Sequence, residues 1–499
     1  MPIKKILIAN RGEIAVRVIN ACTELGIVSA AVYSEADKFS YHTERADEAY
    51  CIGKAPASES YLDGKKIIDT ALKSKCDAIH PGYGFLSENA NFASQVKKAG
   101  LVFIGPPAKS IEAMGDKPVA RQIMMDEGVP VVPGTAKPVA RAEDALDAAK
   151  TIGYPVLIKA AGGGGGKGMR KVGSEKELKE SFNRAVSEAE SAFGNPVVYL
   201  EKYITSPRHI EFQVLADEKG NVIHLGEREC SVQRRHQKVV EEAPSSILTE
   251  EERSKFGAIA VQAAKACEYT NAGTVEFLLD GDRNFYFLEM NTRLQVEHPV
   301  TEQVTHIDLV NEQIRIASGE KLRYKQNDIA MNGHAVECRI YAEDPLNGFY
   351  PSIGSITELK EPAGNGIRVD SGVKNDCEIS IYYDPLIAKL ISTAENRKGA
   401  IARMIEALDD YVISGVKTNL SFCYFVMKNE RFQKGDFDTN FVENEFKPEL
   451  RNVFSGEEKA FAAAAAAHYK HHSLKNNIIS AGNVQQNNWK RTGLLDAMK

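Results

Sequence analysis

Two apolar runs separated by a short polar turn constrain this chain most: GTVEFLLD, Gly273–Asp280, and NFYFLEMN, Asn284–Asn291. Both are rich in β-branched, aliphatic and aromatic residues, so together they read as a β-hairpin. With Gly281–Asn284 as the loop, Asp280 pairs with Phe285 and Glu276 falls opposite Glu289. Residues alternate faces along a strand, so the two carboxylates point the same way and Asn291 joins Glu289. Like charges opposite each other destabilise a sheet, and a cation between them removes that cost. All three side chains offer hard oxygen donors, which suit Mg²⁺ or Mn²⁺ rather than zinc. Such an ion also bridges the phosphates of ATP. The competing reading is two solvent-facing glutamates on an exposed sheet face.

The hairpin runs into NTRLQVEHPVTE, Asn291–Glu302, which holds an Asn, an Arg, a Gln, two Glu and a His. A loop of anion-binding and acid–base groups at the end of a buried strand is a candidate active site, against the alternative of an ordinary solvated loop. Pro299 is expected to stop regular structure there.

At 499 residues the chain is too long for one core, and roughly two to four domains are expected. A formal net charge of −6 gives no global reason to expect nucleic acid or membrane as a partner. No apolar run approaches the ~20 residues of a membrane span. The start, MPIKKILIAN, breaks at Asn10 and Arg11 and reads as a first strand rather than a signal peptide. The eight cysteines form no CxxC pair and are expected to be buried thiols in a reducing compartment, the cytoplasm.

Lys4–Ala9 is a strand, Ile14, Val18, Cys22 and Leu25 recur at helical spacing, Gly26 stops the helix, and Ile27–Val32 is a second strand. This βαβ opening predicts a parallel sheet. One glycine stands where a dinucleotide fingerprint needs three, so the scaffold is Rossmann-like without a nicotinamide site. In CDAIHPGYGFLSEN, Cys76–Asn89, the residues His80, Tyr83 and Glu88 are either ligand contacts or parts of a tight glycine turn. Val102–Pro106 is a further strand and turn, and Ser110–Glu127 reads as one helix containing Lys117.

The apolar run Pro155–Ala160 contains Lys159 and is followed by five glycines, Gly162–Gly166, then Lys167 and Gly168. Strand-like residues on both sides favour a hairpin lid over a flexible linker. Glycines let backbone N–H groups approach phosphate oxygens without interference from a Cβ. It is not a Walker A loop, since no Lys-Ser or Lys-Thr pair follows. Val197–Ile204 is another strand. In QRRHQK, Gln233–Lys238, strand alternation predicts that Arg234, His236 and Lys238 share a face and form an anion site.

Taken together, IKAAGGGGGKGMR, EFQVLAD, ERECSVQRRHQKVVEEAP and FLEMNTRLQVEHPVTE resemble the biotin carboxylases, ATP-grasp enzymes that charge biotin with carbon from bicarbonate. ANRGEIAVR, HPGYGFLSEN, GHAVECRIYAEDP and YYDPLIAKLI are similar to the same family, and the match runs from about residue 1 to 447. The resemblance implies an α/β and α+β multidomain chain. A Rossmann-like domain spans 1–114, an ATP-grasp domain 115–330 with a mobile lid at about 131–204, and a C-terminal biotin carboxylase domain 331–447. By matching position, ATP contacts are implied for Lys117, Lys159, Gly164, Gly165, Gly166, Glu201, Lys202, Tyr203, Ile204, His209, Gln233, His236, Glu276 and Glu289. Glu276, Glu289 and Asn291 would carry Mg²⁺ or Mn²⁺, and Lys238, Arg293, Gln295 and Val296 would hold bicarbonate. Glu297 would be the general base, and Arg339 would face biotin with Tyr83 nearby. Lys167 stands where some relatives have arginine. The route implied is carboxyphosphate, its collapse to CO₂ and phosphate, and deprotonation of biotin by that phosphate. Another ATP-grasp ligase would have no need for Arg293, Glu297 and Arg339 in this arrangement, and a nucleotide-binding scaffold without catalysis would be suggested by loss of Lys238, Glu276, Glu289 or Glu297, none of which is lost.

Beyond residue 331 the chain becomes more β-like and closes with helix-prone Arg397–Leu408 and Leu420–Lys428. After about Pro448 the resemblance stops. Gly456–His472 is alanine-rich and helix-prone, and a polar connector leads to Trp489, Leu494, Leu495 and Met498. This end is either a short docking helix or a frayed tail. Asp496–Lys499 looks like the start of a biotin-attachment motif, but about 50 mostly helix-prone residues cannot build the alternating hairpins of a biotinyl domain. Biotin is therefore expected on a separate carrier protein or domain, with a homodimeric carboxylase and a separate carboxyltransferase subunit. The extension past residue 448 points to pyruvate rather than an acyl-CoA as final acceptor.

Overall fold

A computed structural model describes residues 3–135, 137–161 and 168–447. Met1–Phe446 forms one compact unit. The chain opens with a five-stranded parallel sheet in the order β3-β2-β1-β4-β5. Its strands are β1 (Lys5–Ile8), β2 (Val28–Ser34), β3 (Glu48–Gly53), β4 (Ala78–His80) and β5 (Val102–Phe103). Helix α1 (Gly12–Leu25) connects β1 to β2, burying Ile14, Val18 and Cys22, and ends where Gly26 turns left-handed at φ 67°. His80 is not a ligand contact: it is fully buried, and its Nδ1 accepts the Gly82 N–H at 3.0 Å.

The single helix expected over Ser110–Glu127 is two, α2 (Ala108–Gly115) and α3 (Lys117–Asp126). Asp116 between them is extended, and its carboxylate caps the Val119 N–H at 3.1 Å. Lys117 thereby becomes the first residue of a new helix, followed by Pro118, which suits a first turn.

A small antiparallel sheet follows in the order β7-β6-β8, from β6 (Val156–Ala160), β7 (Met169–Val172) and β8 (Val198–Lys202). The expected hairpin is present, with Lys159 paired to Met169. Its tip, including Gly164, Gly165 and Gly166, lies outside the described residues.

The third sheet is antiparallel, eight-stranded, and ordered β13-β12-β9-β10-β11-β14-β16-β15. It comprises β9 (Arg208–Ala216), β10 (Val222–Arg234), β11 (Gln237–Ala243), β12 (Asn271–Leu279), β13 (Phe285–Asn291), β14 (His334–Tyr341), β15 (Ile367–Ser371) and β16 (Leu386–Ala394). On one face Phe212, Val214, Val275 and Phe277 pack against Phe256, Ala260 and Ala263 of α4 (Glu250–Ala266). Burial of each large side chain stabilises by roughly 1.5–3 kcal/mol. The other face carries polar residues. Paired register sets Glu289, Glu276, Glu211 and Arg228 in one row across β13, β12, β9 and β10. The sheet continues past residue 330, and α6 (Arg397–Asp410) and α7 (Leu420–Lys428) pack Met404, Phe422 and Val426 beneath its far end.

Three local expectations are corrected. The β12–β13 ladder begins with Leu279 opposite Phe285, not Asp280, around a tighter loop closed by Asp280 N–H to Asn284 O at 3.0 Å. A register shift beyond Phe277 and Phe287, with Leu288 as the extra residue, then brings Glu276 opposite Glu289. The predicted pair survives, reached through a bulge rather than a regular ladder. Arg234, His236 and Lys238 do not share a strand face. Arg235 and His236 form a tight turn at φ 50° and 66° between β10 and β11. Arg234 instead pairs with Glu343 at 2.8 Å. Finally, Pro299 does not stop regular structure but sits in the first turn of α5 (His298–Thr305).

Candidate active site

A cavity of about 1250 Å³ opens where the three sheets meet. Every described residue that the family resemblance assigned to nucleotide, metal, bicarbonate or biotin lines it. Lys117 comes from the start of α3, Lys159 from β6, and Glu201, Lys202, Tyr203 and Ile204 from the end of β8. His209, Gln233, His236 and Lys238 come from β9, β10, the turn that follows it and β11. Glu276, Glu289 and Asn291 come from the hairpin, Arg293, Gln295, Val296 and Glu297 from the connection to α5, and Arg339 from β14. Tyr83 reaches the same cavity, as does Glu88, which binds Arg293 Nε at 2.9 Å and the Thr292 N–H at 3.0 Å.

At its centre Lys238 Nζ bonds Glu276 and Glu297, both at 2.7 Å, and also Glu211. Burial alone would lower the Lys238 pKa, but these three carboxylates raise it well above the usual lysine value. The reverse holds for Glu211 and Glu276: burial would raise them, and Lys238, with Arg228 for Glu211 and His209 for Glu276, holds them below the ordinary carboxylate range. His209 Nε2 lies 3.0 Å from Glu276. Burial opposes its charge, yet Glu276 lifts it to about 9, an imidazolium at neutral pH. Glu297 is ionised despite burial, because Lys238 and Arg339 flank it, Arg339 Nη2 at 2.8 Å.

Glu289 differs. It makes no hydrogen bond or ion pair with another described residue, and burial together with Glu276 raises its pKa. Two opposed carboxylates, one of them unpaired, form a donor set that fits a divalent cation. Asn291 presents Nδ2 to Glu276 at 2.7 Å while its Oδ1 accepts from Arg293 at 3.1 Å, so its amide must turn over to add an oxygen ligand. His209, Glu211 and Glu276 also lie close enough to share an ion, but the charged His209 and the pairing of Glu211 with Arg228 at 2.6 Å commit that group to a salt-bridge network.

The sequence reading missed Glu211, Arg228 and Glu241. Arg228 is fully buried and spends its donors on Glu211, Gln213, Thr301, Thr274 and Gln295. The signal was Glu211 and Gln213 alternating with Ile210, Phe212 and Val214, a polar stripe on a buried strand. His298 and Glu302 are structural: His298 Nδ1 lies 2.8 Å from Gln295 O, and Glu302 pairs with Arg17 and Arg368.

A three-stranded antiparallel sheet beside a large antiparallel sheet, with Lys159, Lys238 and the opposed Glu276 and Glu289 lining the cavity between them, is the arrangement of an ATP-grasp ligase. Family models match along the chain in order. They are biotin carboxylase N-terminal domain at residues 2–111, carbamoyl-phosphate synthase L chain ATP binding domain at 116–325, and biotin carboxylase C-terminal domain at 337–444. The chain belongs to the biotin carboxylase family, the ATP-dependent carboxylating ligases. It is 56% identical over 440 residues to a pyruvate carboxylase subunit of Methanothermobacter thermautotrophicus, covering 88% of this chain and 89% of that one. It is 53% identical over 442 residues to biotin carboxylase 1 of Bacillus subtilis, covering 88% and 98%. The biotin carboxylase domain dimer of Hydrogenobacter thermophilus 2-oxoglutarate carboxylase, solved with MgADP, ADP and bicarbonate, superposes with a TM-score of 0.85. The two are 51% identical, over 91% of this chain and 100% of that one. Among the described residues no helix is long and apolar enough to cross a membrane.

Proposed function

We propose that this chain carboxylates biotin on a separate carrier through carboxyphosphate, as the first half-reaction of a biotin-dependent carboxylase with pyruvate as final acceptor. The observation that carries the reading is Glu297, a buried carboxylate shared by Lys238 and Arg339 in the cavity that holds Lys117, Lys159 and the opposed Glu276 and Glu289.

Bicarbonate is a weak nucleophile, and Glu297 removes its proton as an oxygen attacks the γ-phosphate of ATP. Lys238, Arg293 and Gln295, with the Val296 backbone, hold the bicarbonate and offset the charge that gathers there. A divalent cation held by Glu276 and Glu289, with Asn291 beside them, would neutralise phosphate charge when bound. Lys117, Lys159, His209, Gln233 and His236 orient the phosphates, and Glu201–Ile204 meet the base. Carboxyphosphate is labile in water, so the β6–β7 hairpin serves as the cover. Arg339 stabilises the enolate oxygen of biotin, with Tyr83 nearby.

Relatives that match over 88% of this chain are named for pyruvate, 2-oxoglutarate and propionyl-CoA carboxylases. The extension past residue 448 supports pyruvate. We also assign a homodimer, a carrier and a carboxyltransferase as partners, and a cytoplasmic location in keeping with eight free cysteines. The test of the activity is phosphate release from the purified chain with MgATP, bicarbonate and free biotin. Absence of biotin-dependent turnover would sink it. Partner chains co-purified from the source cell, assayed with pyruvate and with acyl-CoA esters, decide the acceptor.

A further inference from the structure

We propose that Glu241 is a positioning residue that anchors the Arg339 guanidinium at the cavity wall while Glu297 changes its protonation state. This rests on the function proposed above. Glu241 does not line the cavity and cannot touch a substrate. Its side chain is fully buried on β11, and its Oε1 accepts Arg339 Nε–H at 2.6 Å. Arg339 is therefore held between two carboxylates, Glu297 on the cavity side through Nη2 and Glu241 behind it through Nε.

The two anchors are not equivalent. Glu297 loses its negative charge when it takes the bicarbonate proton. Its hydrogen bond to Arg339 Nη2 then weakens, since a charged acceptor is worth roughly twice a neutral one. Nη2 is thereby released to meet the oxygen that develops charge on biotin. A guanidinium left with no other fixed partner would be free to leave that position, and Glu241, which does not line the cavity, supplies a partner that takes no part in the bicarbonate proton transfer. Other groups face Glu241 from the neighbouring elements. Glu337 stands directly across on β14, and Lys238 lies on the same strand. Burial, with Glu241 close by, pushes the Glu337 carboxyl well above the ordinary range, and neither of its oxygens has a hydrogen-bond partner, so it does not compete for Arg339. Burial raises Glu241 itself to about 7 against the pull of Arg339.

Three variants of the full chain test this at about pH 8, where Glu241 is ionised. Glu241→Ala removes the anchor, Glu241→Asp keeps the charge but withdraws it by a methylene, and Glu241→Gln keeps an acceptor at full reach. Glu241→Ala and Glu241→Asp are expected to lower biotin-dependent kcat by about 10–100-fold with nucleotide affinity within about twofold, and Glu241→Gln to recover to within about fivefold of the parent. Alanine turnover equal to the parent, or Gln no better than Asp, overturns the proposal. If the alanine variant does not fold, the Asp and Gln pair decides. If the parent chain itself has no biotin-dependent turnover, crystal structures decide instead. Arg339 displaced from its Glu297 contact in Glu241→Asp but not in Glu241→Gln supports the anchor, and an unmoved guanidinium refutes it.

Discussion

Glu297 gains its role from its neighbours rather than from its type. A buried carboxylate would ordinarily hold its proton, and Lys238 and Arg339 keep this one ionised. Glu297→Gln preserves shape and an acceptor oxygen but cannot take a proton. Turnover should fall by about 10²–10⁴-fold while calorimetry shows nucleotide still bound; retained turnover removes Glu297 as the base. Glu302, five residues further along in α5, shows the same residue type used for stability. It accepts from Arg17 at 2.9 Å, Arg368 at 2.8 Å and the Leu309 N–H at 2.7 Å. Burial would raise its pKa, but the two arginines lower it to about 2. A depressed acid contributes stability above its unfolded pKa, near 4.5, and loses it as pH falls toward 2. Glu302→Gln should therefore cost roughly 3 kcal/mol at pH 7, and the gap should close between about pH 4.5 and 2. Melting curves across that range check it, and a gap independent of pH would refute the assignment.

At the scale of elements, what was legible depended on whether local pattern decided the structure. The β1–α1–β2 opening was legible because burial of Ile14, Val18 and Cys22 and the left-handed Gly26 agree with helical spacing. The hairpin was legible because both strands are apolar runs with a turn between them, but the Glu276–Glu289 pair came out right only because the bulge offset a one-residue error in the assumed register. The bulge at Leu288 was not, because nothing in NFYFLEMN marks where a ladder slips. In QRRHQK the side chains that hold a left-handed turn, Arg235 and His236, are not the usual Asn-Gly, so the turn was hidden in a basic run. Asp116 was hidden for the opposite reason: helical spacing continues across it, and only its extended backbone separates α2 from α3. That break has a use, since it fixes Lys117 at the start of α3 on the cavity wall. Asp116→Ala should lose about 1 kcal/mol of stability and raise KM for ATP severalfold with kcat at saturation unchanged, and Asp116→Ser should restore both. An unchanged KM would mean that the cap does not position Lys117.

For the whole molecule, the site is a product of long-range register, which no local pattern reports. Glu211, Glu276, Glu289 and Arg228 form a row only because β13, β12, β9 and β10 are neighbours, and Arg339 joins them only because the same sheet continues through β11 to β14. Every described residue of the cavity lies within the compact unit Met1–Phe446. Three of its cations are compensated inside that unit: Lys238 by Glu211, Glu276 and Glu297, Arg339 by Glu241 and Glu297, and Arg293 by Glu88. A chain ending at Lys447 should therefore keep the cavity and its electrostatics. Biotin-dependent phosphate release with free biotin should stay within about twofold of the full chain, because the residues that build the site all lie before Lys447. A large loss of kcat would place residues 448–499 in the chemistry. A loss confined to turnover with the carrier and carboxyltransferase chains present, at equal free-biotin rates, would assign the extension to assembly.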